Sequence, residues 1–227
     1  MREAIRVFAL GLIAACLAAL PAAAQSYKVE KVSDAAPSEL SAAMRDAVSG
    51  EALRVSDGAN VLCEIWLRKS VPVLAKPVTD LGITFGQIAE GTFVGAIRFP
   101  QQVQDFRNQP IGAGVYTLRY ALIPVDGNHV GVSQQRDFLL ISPAGADTDP
   151  ATITRDETLD LSRKATGTNH PSPWSLMPLP GAAPAAFPAM VHQQEDSDIW
   201  ILEFQLTPAS GGPVPMGLVV AGHSPEV

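Results

Sequence analysis

The sequence predicts an all-β fold, a β-sandwich of about nine short strands with one or two short helices. Short apolar segments that alternate with polar residues recur along the chain, turn residues separate them, and helical patterns are few. The 19 prolines and 18 glycines match such a turn-rich chain. Because so few helices cannot cover the apolar face of a single sheet, a second sheet is the expected cover. A small β-barrel is the alternative.

Residues 1–24 have the pattern of a secretory signal peptide. Two basic residues, Arg2 and Arg6, precede an apolar run that ends in small residues of the kind that a signal peptidase reads. Cleavage is expected before Gln25, which leaves residues 25–227 as one domain in the periplasm or outside the cell. The apolar run is shorter than the roughly 20 residues that span a bilayer, so no transmembrane segment is expected in the mature chain.

A lipoprotein signal is the alternative interpretation of this segment. Ile13-Ala14-Ala15-Cys16 resembles a bacterial lipobox, in which the cysteine becomes the acylated first residue. That site would leave a further apolar stretch on the mature protein and would ignore the small residues that end at Ala24. Cleavage before Gln25 is therefore the preferred interpretation.

The net charge of the chain excludes some classes of binding partner. The chain carries 16 basic and 23 acidic side chains, a net charge of −7, and removal of the signal peptide makes it one unit more acidic. Nucleic acids and anionic membrane surfaces bind basic faces, so neither is expected as a partner. The remaining candidates are an envelope protein and a small-molecule or carbohydrate ligand, and no cofactor is predicted.

The first part of the mature chain combines short strands with one helix. Residues 26–33 predict an edge strand, and apolar residues at helical spacing predict a helix over 37–48. Strands at 52–56 and 60–68 flank Asp57-Gly58, which is a strong signal for a hairpin turn. Both strands are therefore expected to pair with each other.

Cys63 and Trp66 lie in the strand predicted at 60–68. Loss of Cys16 with the signal peptide leaves Cys63 as the only cysteine, so no intramolecular disulfide is predicted. Cys63 shares a face with Ile65 and is expected to be a buried, unreactive thiol. Trp66 lies on the opposite face of the strand.

Two apolar runs, 115–124 and 138–141, are expected to pair as the central strands. In the first run one face carries Tyr116, Leu118, Tyr120 and Leu122, and the other carries Thr117 and Arg119. The second run is apolar on both faces, which predicts a strand that is covered on both sides. A helix is rejected for the first run because glycines before it and Pro124 after it leave only about ten residues.

The last third of the chain begins with a helical pattern and a proline-rich segment. A short helix is predicted over 154–165, and the six prolines of residues 166–188 predict an extended, ordered crossing or a flexible loop. Strand patterns then return three times, at 189–193, 198–206 and 216–221. Along the strand at 198–206 the apolar side chains, Trp200 among them, predict a core face, and Glu203 and Gln205 are expected to point outward.

The polar loop between the two central runs holds the first candidate site. Its candidate ligand-binding residues are Asp126, Asn128, His129, Arg136 and Asp137. Asp126 and Asn128 offer oxygen ligands at the spacing of calcium loops, although the terminal glutamate of such loops is missing. His129 has the chemistry of a metal ligand or a general base. A plain turn is the simpler interpretation, because Asp-Gly and Asn favour turns.

His170 and Trp174 belong to a second candidate loop, 166–174. Histidines from the two loops together with one or two aspartates would form a zinc or iron set, and an indole in a proline-rich loop is suited to ligand contact. The spacing does not require a metal, because the sequence contains no H-x-H, H-E-x-x-H or C-x-x-C motif. No metal is therefore assigned.

The sequence contains no catalytic signature. A nucleophile elbow and a glycine-rich phosphate loop are both missing. The favoured function is therefore a non-catalytic binding or accessory module of the cell envelope. One alternative is a metal-dependent hydrolase or metal-binding protein that uses the loops 126–137 and 166–174. The other is a structural component of an envelope assembly.

Two segments resemble an uncharacterised family of secreted, β-rich bacterial proteins with no assigned activity. They are Gly91-Thr92-Phe93-Val94-Gly95, and Ala113-Gly114-Val115-Tyr116-Thr117-Leu118-Arg119-Tyr120 with its continuation through Asp126-Gly127-Asn128-His129. The resemblance covers roughly residues 50–180 and implies an exported, β-rich domain. It implies no catalytic residue.

Overall fold

The computed structural model describes residues 26–58, 60–126, 135–179, 186–194 and 198–223. Over these residues the fold is all-β with two short helices, as predicted. Helix α1 spans Ala42–Ala47 and helix α2 spans Arg155–Thr166. Neither of these helices is long and apolar enough to cross a membrane. The strands are β1 (Tyr27–Val32), β2 (Ala52–Asp57), β3 (Asn60–Leu67), β4 (Phe93–Phe99), β5 (Val103–Gln104), β6 (Pro110–Ile111), β7 (Gly114–Leu122), β8 (Asp137–Pro143), β9 (Pro173–Met177), β10 (Ala189–Gln193), β11 (Ile199–Leu206) and β12 (Val214–Ala221).

Ten of these strands form one antiparallel sheet in the order β1-β2-β3-β4-β7-β8-β9-β12-β11-β10, and β5 pairs with β6 as a separate ribbon. The sheet curls until its edge strands β1 and β10 lie against each other, so its shape is close to that of a barrel. The two halves of the sheet thus enclose one hydrophobic core. A strongly curled sheet covers its own apolar face, which is why two helices suffice.

The central strands β7 and β8 confirm the predicted pairing and alternation. Leu118 lies opposite Ile141 and Tyr120 lies opposite Leu139, and all four side chains face the enclosed core. The side chains between them face outward. Strand β8 therefore presents apolar residues to both sides of the sheet, as its sequence predicts, and its outer side needs a cover of its own.

Cys63 and Trp66 lie on opposite faces of β3, also as predicted. Cys63 is fully buried in the enclosed core, and this burial raises the pKa of its thiol. Trp66 is buried on the outer face, where it packs with Phe93 and with Met44 of helix α1. Its indole Nε1 donates a hydrogen bond to the carbonyl oxygen of Asp34 at 3.0 Å. Cys63 is therefore a core residue.

Helix α1 is shorter than the helix predicted over 37–48. Ser41 is its N-cap, because the Ser41 hydroxyl oxygen accepts a hydrogen bond from the Met44 backbone N–H at 3.2 Å. The residues before the cap form a turn in which Leu40 N–H donates to the Pro37 carbonyl oxygen. The helical spacing of the apolar side chains therefore continues through a turn that is not itself helical.

Two predictions for the last third of the chain are wrong. Residues 173–177, which were expected within a proline-rich loop, form strand β9 between β8 and β12. Prolines are tolerated at the first residue of a strand, and Pro173 has that position. Glu203 was expected to point into solvent, but only 2% of its surface is exposed, whereas Gln205 is exposed as predicted.

The reason for the burial of Glu203 is that the outer face of β11 is itself covered. Ile199, Ile201 and Val219 form a second apolar layer there, against which Phe106 and Met177 pack. A side chain on the outer face of this strand is therefore not exposed to solvent. Burial raises the pKa of the Glu203 carboxyl.

Candidate ligand-binding pocket

Helix α2 covers the outer face of β8, and its ends are well defined. Thr154 and Glu157 form a capping box at its start, and Gly167 ends it in the left-handed conformation with φ of 65°. Asp156 and Glu157 lie in the first turn, and Arg163 and Lys164 in the last, as the helix dipole favours. The helix is thus stabilised by its own sequence as well as by packing.

The face of α2 that meets the sheet is small and polar. Its buried side chains are Thr158 and Ser162. The Thr158 hydroxyl donates to the Thr154 carbonyl oxygen at 2.9 Å, and the Ser162 hydroxyl oxygen accepts from the Ser172 backbone N–H at 2.9 Å. These side chains are satisfied by the backbone and are too short to fill the space above the large apolar residues of β8.

A cavity of about 520 Å³ remains between α2 and the sheet. Phe138, Leu140 and Ala121 form its floor, and Phe106 and Leu159 close its sides. The rings of Phe106 and Phe138 lie 6.1 Å apart, tilted by 59°. Most of the lining is apolar, and the volume lies within the range of about 300–1,000 Å³ that is common for small-molecule sites.

Positive charge surrounds this apolar interior. Arg107, Arg155 and Arg163 line the cavity, whereas Glu90 is its only acidic lining residue among those that the structure describes. Glu90 Oε1 accepts a hydrogen bond from the Leu122 backbone N–H at 3.0 Å and lies 3.4 Å from Nε of Arg155. The cavity is therefore more cationic than the rest of this acidic chain.

A buried ion pair fixes the segment that leads into α2. Arg119 is fully buried, and its Nε and Nη2 each lie 2.7 Å from a carboxylate oxygen of Asp147. The remaining N–H groups of Arg119 donate to three carbonyl oxygens, those of Gly91, Asp149 and Ala151. All five donors of the guanidinium are thus satisfied.

Asp137, predicted as a ligand-binding residue, is a structural residue. It is fully buried, and its carboxylate accepts hydrogen bonds from the backbone N–H groups of Thr84 and Phe85 and from the hydroxyl of Tyr120 at 2.6 to 3.0 Å. Burial and the neighbouring carboxylate raise the pKa of Tyr120. Asp137 thus holds the segment before β4 against the end of the core, and its oxygens are occupied.

Arg136 is also engaged with the protein. Its Nε donates to the Ile123 carbonyl oxygen at 3.0 Å, and its Nη1 lies 2.8 Å from Asp80. Asp126 is exposed at the end of the described segment, and Asn128 and His129 lie outside the described residues. The first candidate loop is thus represented only by its two ends.

The second candidate loop is divided by the structure. His170 is exposed and lines the cavity beneath α2, together with Asn169. Trp174 is 2% exposed and lies in β9, where its ring stacks on Phe99 at 5.0 Å, so it faces the enclosed core and not a ligand at the surface. The period-two pattern of Trp174 and Leu176 indicates this strand, but the surrounding prolines obscured it.

No group of three or more His, Cys, Asp or Glu side chains that could hold a metal ion occurs within the described ranges. Asp137 faces the interior of the sheet, whereas His170 lies on its outer side at the cavity. These two members of the predicted metal set are therefore on different sides of β8.

Sequence patterns did not indicate the cavity, because the residues that line it come from segments far apart in the chain. The outer face of β8 was predicted to be covered, and the short helix predicted after it has only a modest apolar stripe, marked by Leu159. Together these features indicate an apolar surface under a helix that cannot fill it. Which helix covers which strand depends on the connection through Asp147, and local sequence patterns do not reveal it.

Comparison with protein-family models, with curated proteins and with solved structures finds no match to this chain.

Proposed function

We propose that this chain is an exported, non-catalytic binding protein that takes up a small, largely apolar molecule in the cavity beneath α2. The observation that carries the proposal is the cavity itself, which Phe138 and Leu140 line beneath the small polar side chains of the helix. A mostly apolar pocket of this size, partly open to solvent, has the usual form of a small-molecule site. An apolar ligand would restore the missing contacts and remove this surface from water.

The chemistry of the lining favours binding over catalysis. The hydroxyl of Thr158 already donates to the Thr154 carbonyl oxygen, and Glu90 is engaged with Leu122 and Arg155. His170 is the one further lining residue with the chemistry of a general base, but the described lining offers it no free nucleophile to activate, because Thr158 carries its only hydroxyl or thiol group. Export to the periplasm or the outside of the cell is supported by the signal-peptide pattern of residues 1–24.

The test is to fill the cavity from the helix. In the variant Leu159→Trp a larger side chain enters the cavity from a half-buried position on α2. We expect wild-type protein to enhance the fluorescence of the uncharged dye N-phenyl-1-naphthylamine in a saturable manner. We expect Leu159→Trp to weaken this binding by about tenfold or more. The indole would take up space that the dye needs, so the dye would bury less apolar surface in the cavity.

The matched control is Leu81→Trp, which adds the same indole at a side chain that is 91% exposed and is not among the residues that line the cavity. This variant is expected to bind the dye like wild type. Equal loss of binding in both variants, or equal binding in all three proteins, would show that the dye does not occupy the cavity and would refute the proposal.

A further inference from the structure

We infer that the ligand of this cavity is an anionic amphiphile, an apolar chain or ring system with a single carboxylate or phosphate group. The inference rests on the proposed function and adds the chemical class of the ligand. The negative group would bind at the end of the cavity formed by Arg107, Arg163 and His170, named here the cationic end. The apolar part would lie along Phe138 and Leu140.

Hydrogen bonds between neighbouring segments bring these three residues to the same end. Nε of Arg163 donates to the Asn169 carbonyl oxygen at 3.0 Å, which places the end of α2 beside His170. The turn that carries Arg107 is joined to the same loop, because the Phe106 backbone N–H donates to the Pro173 carbonyl oxygen at 3.2 Å. The end of the helix and the turn are thus both hydrogen-bonded to residues 169–173, at and before the start of β9.

A second bond strengthens the link between the turn and the loop. The Gln109 side-chain amide donates to the Pro171 carbonyl oxygen at 3.0 Å and to the buried carboxylate of Asp105 at 2.9 Å. Asp105 in turn accepts the backbone N–H of Arg107 at 2.9 Å. The position of the Arg107 main chain is therefore fixed.

The arginine side chains of the cationic end can form hydrogen bonds with a negatively charged ligand. None of the described residues accepts a hydrogen bond from the guanidinium of Arg107, which is exposed. Arg163 shares one Nη1 hydrogen bond with Asp160 on the helix surface, but that carboxylate is 72% exposed, and such surface pairs are weak. A carboxylate or phosphate would bind both guanidinium groups through charge-assisted hydrogen bonds.

The opposite end is already neutralised. There Arg155 pairs with Glu90, the acidic residue of the lining. Arg155 and Arg163 are eight residues apart on α2, about 12 Å along the helix axis at 1.5 Å per residue. A ligand with its negative group at the cationic end would therefore extend over the apolar floor toward the Arg155–Glu90 pair. Because that pair is already charge-balanced, the cavity favours a ligand with a single negative group over one with a negative group at each end.

The experiment compares ligands that share a twelve-carbon chain. Dodecanoate, dodecyl phosphate, 1-dodecanol and dodecyltrimethylammonium are titrated below their micelle concentrations against wild type with bound N-phenyl-1-naphthylamine. We expect the two anions to displace the dye at concentrations about tenfold or more below that of the alcohol, as charge-assisted hydrogen bonds allow. The cation is expected to be the weakest. The order of the two anions identifies the preferred head group.

The variants Arg107→Gln and Arg163→Gln, and their combination, test the cationic end. Each is expected to reduce the preference for dodecanoate over dodecanol, and the double variant to remove it, while dodecanol binding stays unchanged. The matched control is Lys164→Gln, which removes one positive charge from the same last turn of α2 at an exposed position outside the cavity lining. It is expected to keep the preference.

Two failures are distinguishable. If the dye binds in the cavity but dodecanoate and dodecanol compete equally, or if Lys164→Gln matches Arg163→Gln, the class of ligand is wrong and the binding function stands. If the dye binding is insensitive to Leu159→Trp, the binding function itself fails. Arg107→Gln is decisive where Arg163→Gln disturbs the helix, because no described residue depends on the Arg107 guanidinium for a hydrogen bond.

Discussion

Asp147→Ala is expected to lower the free energy of unfolding by about 3 kcal/mol or more, because it leaves the fully buried guanidinium of Arg119 without its counter-charge. Removal of one partner from a buried, hydrogen-bonded pair is costly since the other charge cannot be rehydrated. Thr117 also loses an acceptor, because its hydroxyl donates to Asp147 Oδ2 at 2.5 Å. Urea denaturation followed by circular dichroism measures the effect.

The matched control is Asp160→Ala, which removes an aspartate from an arginine pair on the surface of α2. We expect a loss of less than about 1 kcal/mol there. The double variant Arg119→Met/Asp147→Ala is expected to fall well short of the sum of the two single losses, because it leaves no unpaired charge. A loss for Asp147→Ala no larger than that for Asp160→Ala would contradict the assigned role of the buried pair.

This ion pair also connects stability to the proposed function. The carbonyl oxygens of Asp149 and Ala151, which Arg119 holds, belong to the segment that leads into α2, the roof of the cavity. Asp147→Ala is therefore expected to increase hydrogen exchange in α2 more than in strand β12, which pairs with β9 and β11.

Gly91→Ala has the second large expected effect, a loss of about 2–5 kcal/mol in the free energy of unfolding. Gly91 has φ of 78°, and a Cβ at this position would lie 1.9 Å from the carbonyl oxygen of Ile153. Its own carbonyl oxygen accepts from Arg119 Nη1 at 2.7 Å, so the backbone cannot move away without breaking that bond. Backbone strain and steric overlap therefore add. Guanidinium denaturation midpoints measure the loss.

Two other glycines separate these contributions. Gly58 has φ of 56° with no atom within 4 Å of a built Cβ, so Gly58→Ala tests backbone strain alone and is expected to cost about 1 kcal/mol. Gly50 has open space and no positive φ, and Gly50→Ala is expected to stay within about 0.5 kcal/mol of wild type. Equal losses for Gly91→Ala and Gly58→Ala would show that close packing against Ile153 is unimportant.

Strand pairing and the core were accessible from local patterns. The alternation around Tyr116, Leu118 and Tyr120 predicted the core face of β7, and Asp57-Gly58 predicted the hairpin between β2 and β3. Both signals come from short segments whose periodicity or turn chemistry is complete in itself. For the same reason the helix over 154–165 was predicted within one residue of its observed ends.

The features that the sequence did not predict depend on contacts between segments far apart in the chain. Arg119 was assigned correctly to the outer face of β7, but its burial requires Asp147 and three carbonyl oxygens that approach from elsewhere. Glu203 was expected to be solvated because the second apolar layer over β11 could not be read from β11 itself. The cavity has the same origin, since neither β8 nor α2 alone reveals the space between them.

The most direct test of the central claim is to locate the bound ligand. Dodecanoate with a diazirine near its chain terminus is photolysed with purified protein, and labelled peptides are identified by mass spectrometry. We expect label in β8 and in α2, competed by unlabelled dodecanoate and reduced in Leu159→Trp but not in Leu81→Trp. Label spread over peptides remote from the cavity, such as those of β1 and β10, without competition would contradict an anionic amphiphile beneath α2.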